Sequence, residues 1–206
     1  MRARAHPGVS ALDGLSERLL AAADGLDVAL ATTESQEDAI YRLRHRQVVE
    51  HGWVNVAELP HGTERDGYDS AALHVGAWKG DALVGAMRLV LPRPETRLPV
   101  EAGFDIRIEP AGGVVEAGRL VIAPEYRGDA GHAAWGALFA RAWLAMRAED
   151  FSLLCGAASP LMVERLRTLG LPFEVVGPPR TYWGVERLPV RLDPAKGRPR
   201  WFGRSL

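Results

Sequence analysis

The stretch Val114-Val-Glu-Ala-Gly-Arg-Leu-Val-Ile-Ala-Pro-Glu-Tyr-Arg-Gly-Asp-Ala-Gly-His132 decides how this chain folds. Residues 114–122 are almost entirely apolar and read as a strand, which Pro124 ends. Gly128 and Gly131 then open an Ala- and Trp-rich helix that runs to about Ala148. A strand that passes at once through a Gly-containing turn into a helix is a phosphate cradle, because freed backbone N–H groups and the helix dipole both face the anion.

Working outward, residues 73–78, a Lys-Gly-Asp turn and residues 83–91 predict a hairpin, and 92–99 is a Pro-rich connection. Downstream, 151–156 reads as a strand, 160–169 as a helix stopped by Gly170, and 173–176 and 182–192 as strands. Upstream, Leu12, Leu15, Leu19 and Leu26 recur at helical spacing, and 28–32 reads as a short strand. Thr33 with Gln36, or Ser35 with Asp38, starts a helix over 34–51 that Gly52 stops and whose centre carries Arg42, Arg44, His45 and Arg46. Residues 55–70 form a loop long enough to be functional. This order predicts an α/β (α+β) fold, with one mixed sheet and helices on both faces. It divides into a helical arm (1–26), a single domain (27–193) and a tail (194–206).

The chain has 206 residues, 47% apolar and 25% charged, which fits one soluble domain with a full core. Twenty-five basic residues against 26 acidic ones leave a formal charge of -1, so no bulk positive field exists to hold nucleic acid or an anionic membrane. Two of the basic residues, Lys79 and Lys196, are lysines, and the other 23 are arginines. GC-rich codon usage accounts for most of that skew; a site that clamps carboxylate or phosphate with planar forks is the functional reading. The single Cys155 lies in an apolar run and reads as a small buried strand residue, at home in a reducing cytoplasm. Neither a signal peptide nor a membrane span is legible. His45, His51 and His132 read as surface histidines, and no metal-ligand spacing is present.

Motifs spread over residues 41–189 resemble those of the acyl-homoserine-lactone synthases and N-acyl amino acid synthases, a branch of the GNAT acyltransferase fold. They are Tyr41-Arg-Leu-Arg-His-Arg-Gln-Val-Val-Glu-His-Gly-Trp53, Glu64-Arg-Asp-Gly-Tyr-Asp69, Gly85-Ala-Met-Arg-Leu-Val-Leu-Pro92, Val115-Glu-Ala-Gly-Arg-Leu-Val-Ile122, and Gly177-Pro with Tyr182-Trp-Gly-x-x-Arg-x-Pro189. The resemblance implies a central, mixed, mostly antiparallel twisted sheet. It assigns Glu116 and Arg119 to catalysis, and Arg44, Asp66, Asp69 and Arg88 to the acceptor site or its architecture. Trp53, Gly118, Val121, Arg127 and Gly128 fall to the acyl donor, the last two by their likeness to the turn that holds coenzyme A pyrophosphate. Three departures, Gln47-Val48 for Val-Phe, Gly118 for Ser or Thr and a helix motif one residue short, leave the product open between a homoserine lactone and another acyl amide. Ala130 and His132 depart from the pyrophosphate turn and point to a donor presented as a pantetheine arm.

The residues can also be read without the family. An amine attacks a thioester only when neutral, so the site needs a base, and Glu116, in an otherwise apolar strand, is either that base or one half of an ion pair with Arg88 or Arg119. Gly118 shares its face and leaves room for a thioester, and splayed N–H groups of this strand would receive the oxyanion. Asp66 and Asp69 either fold a turn or meet an acceptor ammonium; with Glu116 they are candidate partners for Arg44, Arg88 and Arg119 in a buried network. Trp53 either caps the donor pocket or packs in the core. The predicted activity is N-acyl transfer from acyl carrier protein or coenzyme A to an amino-acid-like amine such as S-adenosylmethionine, by direct attack and without metal. The rivals are an acetyl-coenzyme A acetyltransferase and a catalytically silent protein that binds an acyl chain or carrier partner.

Overall fold

Residues 114–122 form strand β4 (Val114–Ile122), the fourth strand along a sheet of eight. β1 (Asp27–Leu30), β2 (Ala72–Lys79) and β3 (Ala82–Val90) precede it, and every pairing from β1 to β4 is antiparallel. β4 then runs parallel to β5 (Leu153–Ala158), through the pairs Val114 with Leu153, Val115 with Leu154 and Glu116 with Cys155. Beyond β5 the row continues antiparallel through β8 (Val185–Leu192) to β6 (Phe173–Val175), while β7 (Arg180–Tyr182) pairs with β8. The computed structural model describes residues 6–196 except 56, 58, 169 and 170, and for 60, 129 and 130 it describes the backbone alone.

A parallel pair needs a long crossover, and α4 (Asp129–Ala148) supplies it. With α1 (Pro7–Ala22) and α5 (Pro160–Thr168) it covers one face of the sheet. Leu12, Leu138, Trp143, Met146 and Val163 from these helices meet Val75, Met87, Leu89 and Val115 from the strands. Burying each such large side chain contributes about 1.5–3 kcal/mol before the entropy of ordering is subtracted. The N-terminal helix is docked rather than free: Trp143 Nε1–H donates to Asp13 at 2.7 Å and Arg147 pairs with the same carboxylate at 3.3 Å.

The opposite face carries α2 (Glu34–Glu50) and α3 (Pro99–Phe104). Of the two possible starts for α2 the chain uses Thr33 with Gln36, which satisfy two orphan N–H groups reciprocally. Ile40 and Leu43 then pack on Ala86 and Val121. The expected mostly antiparallel mixed sheet with helices on both faces is therefore present. Among the described residues no helix is long and apolar enough to cross a membrane.

Two local expectations change. The strand expected over 182–192 is a hairpin, because Trp183 (φ 55°) and Gly184 (φ 70°) both take left-handed backbone and turn β7 into β8. The connection after β3 ends in the unexpected α3, whose Glu101 carboxylate reaches back to the Leu98 N–H at 2.9 Å. Six residues are too few to display a helical period. The expected stop at Gly170 and residues 197–206 of the expected tail lie outside the described residues.

Candidate active site

Halfway along β4 the alternation of side chains breaks. Gly118 faces Arg88 and Val121 faces Ala86, so Arg119 and Leu120 together stand against Met87 alone. This is a β-bulge, carried by a left-handed Arg119 (φ 53°). Before it Val115 and Ala117 pack towards α4; after it Leu120 does, and Val121 packs under α2. The extra residue turns Arg119 to the α2 side, where plain alternation from Ala117 would have sent it to the other. A non-glycine residue held there costs about 1–3 kcal/mol and persists only where its surroundings over-determine it.

Those surroundings are a buried charge network. Arg44, from α2, forks onto Asp69 at 2.8 and 3.1 Å and also binds Glu64. Arg88, from β3, reaches Asp66 at 2.7 Å and Asp69 at 2.9 Å. Arg119 completes the set with Glu64 at 3.2 Å and Asp66 at 2.9 Å. The loop is shaped to present its acids: the Asp66 N–H donates to Asp69 at 2.7 Å and the Tyr68 N–H to Asp66 at 2.9 Å. Burial works to raise the Asp69 carboxyl, but the Arg44 hydrogen bonds and the Arg44 and Arg88 charges outweigh it and hold it well below the usual carboxylate range. Burial likewise opposes the Arg88 charge, and Asp66 and Asp69 prevail. Asp66 and Asp69 thus fold the turn and bind arginines as part of the site's architecture.

Glu116 stays outside this network, which corrects the expected partnership: the third carboxylate is Glu64, and among the described residues Glu116 forms no ion pair with Arg88 or Arg119. Its Oε2 accepts the Val100 N–H at 2.7 Å, a donor supplied by α3. Glu116 is 4% exposed. Burial pushes its carboxyl up to about 7, against the Val100 hydrogen bond and the Arg88 and Arg119 charges. A base poised near neutral pH is what deprotonation of an ammonium requires. Gly118 shares its face as expected, since a Cβ there would lie 3.6 Å from Glu116 Oε1.

At Glu116 the register with β5 also ends. Beyond it a cavity of about 280 Å³ opens between β4, β5 and α4. Val121, Phe139, Leu154, Ala157, Met162 and Val190 give it apolar walls, and Glu116, Arg119, Tyr182 and Arg187 its polar ones. Trp135, Met162 and Leu166 are shared with a second, more open groove of about 830 Å³ beside the start of α4. Gly128 (φ 96°) begins α4 with no side-chain cap, so first-turn N–H groups are left for another acceptor. Gly131 is required because a Cβ would sit 2.7 Å from the Tyr126 carbonyl oxygen.

The expected site residues therefore divide. Arg44, Asp66, Asp69, Arg88 and Arg119 form the network, while Glu116, Gly118, Val121 and Trp53 line the cavity. Trp53 stacks against His51 at 4.6 Å between ring centroids and lies under the Arg187 guanidinium. Arg127 and Gly128 line the groove, but the Arg127 guanidinium turns to α2 and pairs with Glu50 at 2.6 Å. Cys155 lines the cavity as a fully buried thiol whose titration burial pushes up, so it is no thiolate nucleophile. Glu64, Tyr182 and Arg187 were missed as site residues although each stands in a quoted motif.

No curated protein sequence matches the chain. Among the solved structures that resemble it are the acyl-homoserine-lactone synthase LasI (TM-score 0.65, 18% identity, 82% of this chain and 90% of that one), FeeM, an N-acyl amino acid synthase from uncultured soil microbes (TM-score 0.64, 14% identity, 85% and 92%), and BjaI, a CoA-dependent acyl-homoserine-lactone synthase solved with SAM and isopentyl-CoA (TM-score 0.63, 20% identity, 82% and 79%). At such identities the likeness establishes the fold. The family model for the N-acyl amino acid synthase FeeM matches residues 39–193. That span contains the bulged strand, the charge network, Glu116 and both walls of the cavity, and the chain belongs to the FeeM N-acyl amino acid synthase family of N-acyltransferases.

Proposed function

We propose that this protein moves a fatty acyl group from a thioester, on coenzyme A or on the phosphopantetheine of acyl carrier protein, to the amine of an amino-acid-like acceptor by direct attack. The observation that carries the reading is Glu116: a buried carboxylate without a cationic partner among the described residues, poised near pH 7, where β4 and β5 part beside an apolar cavity. In its ionised form Glu116 takes a proton from the acceptor ammonium. The freed amine attacks the thioester carbonyl, and the oxyanion is received by backbone N–H groups around the bulge, where Arg119 and Leu120 stand outside the β3 ladder. Collapse of the intermediate forms the C–N bond, breaks C–S and releases the thiolate, which recovers a proton from the site.

The donor fits the two connected spaces, with the acyl chain in the apolar cavity and the pantetheine arm along the groove at the start of α4. An acetyl group would leave the cavity largely unfilled. The Arg127 engagement with Glu50 favours a donor that leans little on a pyrophosphate grip. An S-adenosylmethionine acceptor would give a signalling acyl-homoserine lactone, and a simple amino acid an N-acyl amino acid. The reading places the protein in the cytoplasm, where such donors are made.

The test is mass spectrometry of lipid extracts from cells overproducing wild type or Glu116→Gln. A new acyl amide that requires Glu116 is expected. Its absence from wild type, or equal amounts with Glu116→Gln, overturns the reading.

A further inference from the structure

We infer that Arg187 binds the carboxylate of an α-amino acid acceptor in the cavity that Glu116 also lines. This deepens the acyl-transfer reading above and rests on it. Arg44, Arg119 and Arg187 are the guanidinium groups lining the cavity. Arg44 and Arg119 are consumed by Glu64, Asp66 and Asp69, which with Arg88 make three cations against three anions. The charges of that network balance, and its one unpartnered buried donor among the described residues, Arg88 Nη2, belongs to a residue that does not line the cavity. Arg187, on β8, has no hydrogen-bond or ion-pair partner among the described residues.

What Arg187 does have is an aromatic platform. Its guanidinium lies 5.2 Å from the centroid of the Trp53 ring. The hairpin turn fixes that platform, since Gly184 approaches the Trp53 backbone so closely that a Cβ would meet Trp53 Cα at 3.1 Å. Burial and the nearby Arg119 charge both work against the Arg187 cation. A half-buried guanidinium is always ionised, so it is stabilised when an anion arrives with a bidentate fork.

Two opposite charges in one cavity, Glu116 and Arg187, thus lack an oppositely charged partner among the described residues. They complement a zwitterion: its ammonium meets Glu116, which takes the proton, and its carboxylate meets Arg187. The Tyr182 phenol feels the Glu116 charge and itself acts on Arg187, and so belongs to the same electrostatic environment.

The experiment supplies decanoyl-coenzyme A as donor and compares the twenty proteinogenic amino acids with their carboxamides, which keep the amine and side chain and lose the anion. For wild type the preferred amino acid should exceed its amide in kcat/KM by roughly 10- to 100-fold, the range for a charge-assisted hydrogen bond. In Arg187→Gln that ratio should fall towards one, chiefly through KM for the acid, and Arg187→Lys should recover part of it. A wild-type ratio near one, or a wild-type ratio retained by Arg187→Gln, overturns the assignment and leaves acyl transfer standing. If wild type acylates neither set, nor S-adenosylmethionine, from decanoyl-coenzyme A or from decanoyl-acyl carrier protein, the assignment and the acyl-transfer reading fall together. Should Arg187→Gln fail to fold, the wild-type comparison and Arg187→Lys still decide.

Discussion

Replacing Glu116 with Gln should make the protein inactive and more stable at once. In the unfolded chain this carboxyl titrates near its ordinary 4.5, and in the fold at about 7. Between those values the folded state holds a proton that the unfolded state has lost, so wild-type stability falls as pH rises through that window and levels off above it. At 1.36 kcal/mol per pH unit the ionised form is destabilised by about 3 kcal/mol. Glutamine is neutral at every pH, and its side-chain oxygen still accepts the Val100 N–H. An unfolding entropy of about 2.1 cal/mol/K per residue converts 3 kcal/mol into a rise in Tm of about 7 °C for a chain of this size. Melting curves by circular dichroism at pH 8.5 and pH 5.0 measure it: the variant should gain the full increment at pH 8.5 and about a quarter of it at pH 5.0. Equal gains at both pH values would mean that glutamine merely packs better, and no gain at pH 8.5 would mean that Glu116 is not ionised against its surroundings. In wild type the same titration predicts kcat/KM rising through about pH 7 to a plateau.

Asp69→Asn leaves Arg44 and Arg88 short of a buried anion and should cost about 3–5 kcal/mol, read from urea unfolding. A loss below 1 kcal/mol would show the network to be loosely held. Because the folded Asp69 titrates below its unfolded value, wild-type stability from this group is present above about pH 4 and is lost on acidification, and that component should vanish in the variant. Ala158→Phe, at the cavity end of β5, should shift preference to shorter acyl chains by about 0.8 kcal/mol, or roughly fourfold in kcat/KM, for each methylene displaced; a series of acyl-coenzyme A donors checks it. Gly131→Val drives a side chain into the Tyr126 carbonyl and should destabilise by about 1–3 kcal/mol in the same unfolding assay.

The order of strands and helices was legible because most elements are long enough to show a period, and β4 with α4 could be read directly from one stretch. The site was legible only in part. Arg44, Arg88 and Arg119 each interrupt an apolar pattern, which marks them as unusual. Which acid meets which arginine depends on the bulge at Arg119, and nothing in a strand of aliphatic residues announces a left-handed arginine. Glu64 therefore took the place expected for Glu116. The Val100 N–H that holds Glu116 belongs to a helix too short to declare itself, and Arg187 stands in a quoted motif but far along the chain from Trp53, which only the Trp183-Gly184 turn between β7 and β8 brings beside it.

In the proposed reaction, the separation of Glu116 from the arginines is what leaves it able to act as the base. Inside the network Asp69 is held far below neutrality, and such a group is too weak a base to take a proton from an ammonium at pH 7. The bulge resolves the conflict. By turning Arg119 towards Glu64 and Asp66, it spends the cation on the loop acids and leaves Glu116 with one neutral donor and a desolvated setting. The cost is a left-handed residue and an ionisable group buried against its preference, and the second of these is the destabilisation that Glu116→Gln should release. Stability and basicity at this position then have one physical origin, and a variant that restores an ion pair to Glu116 should gain the first only by losing the second.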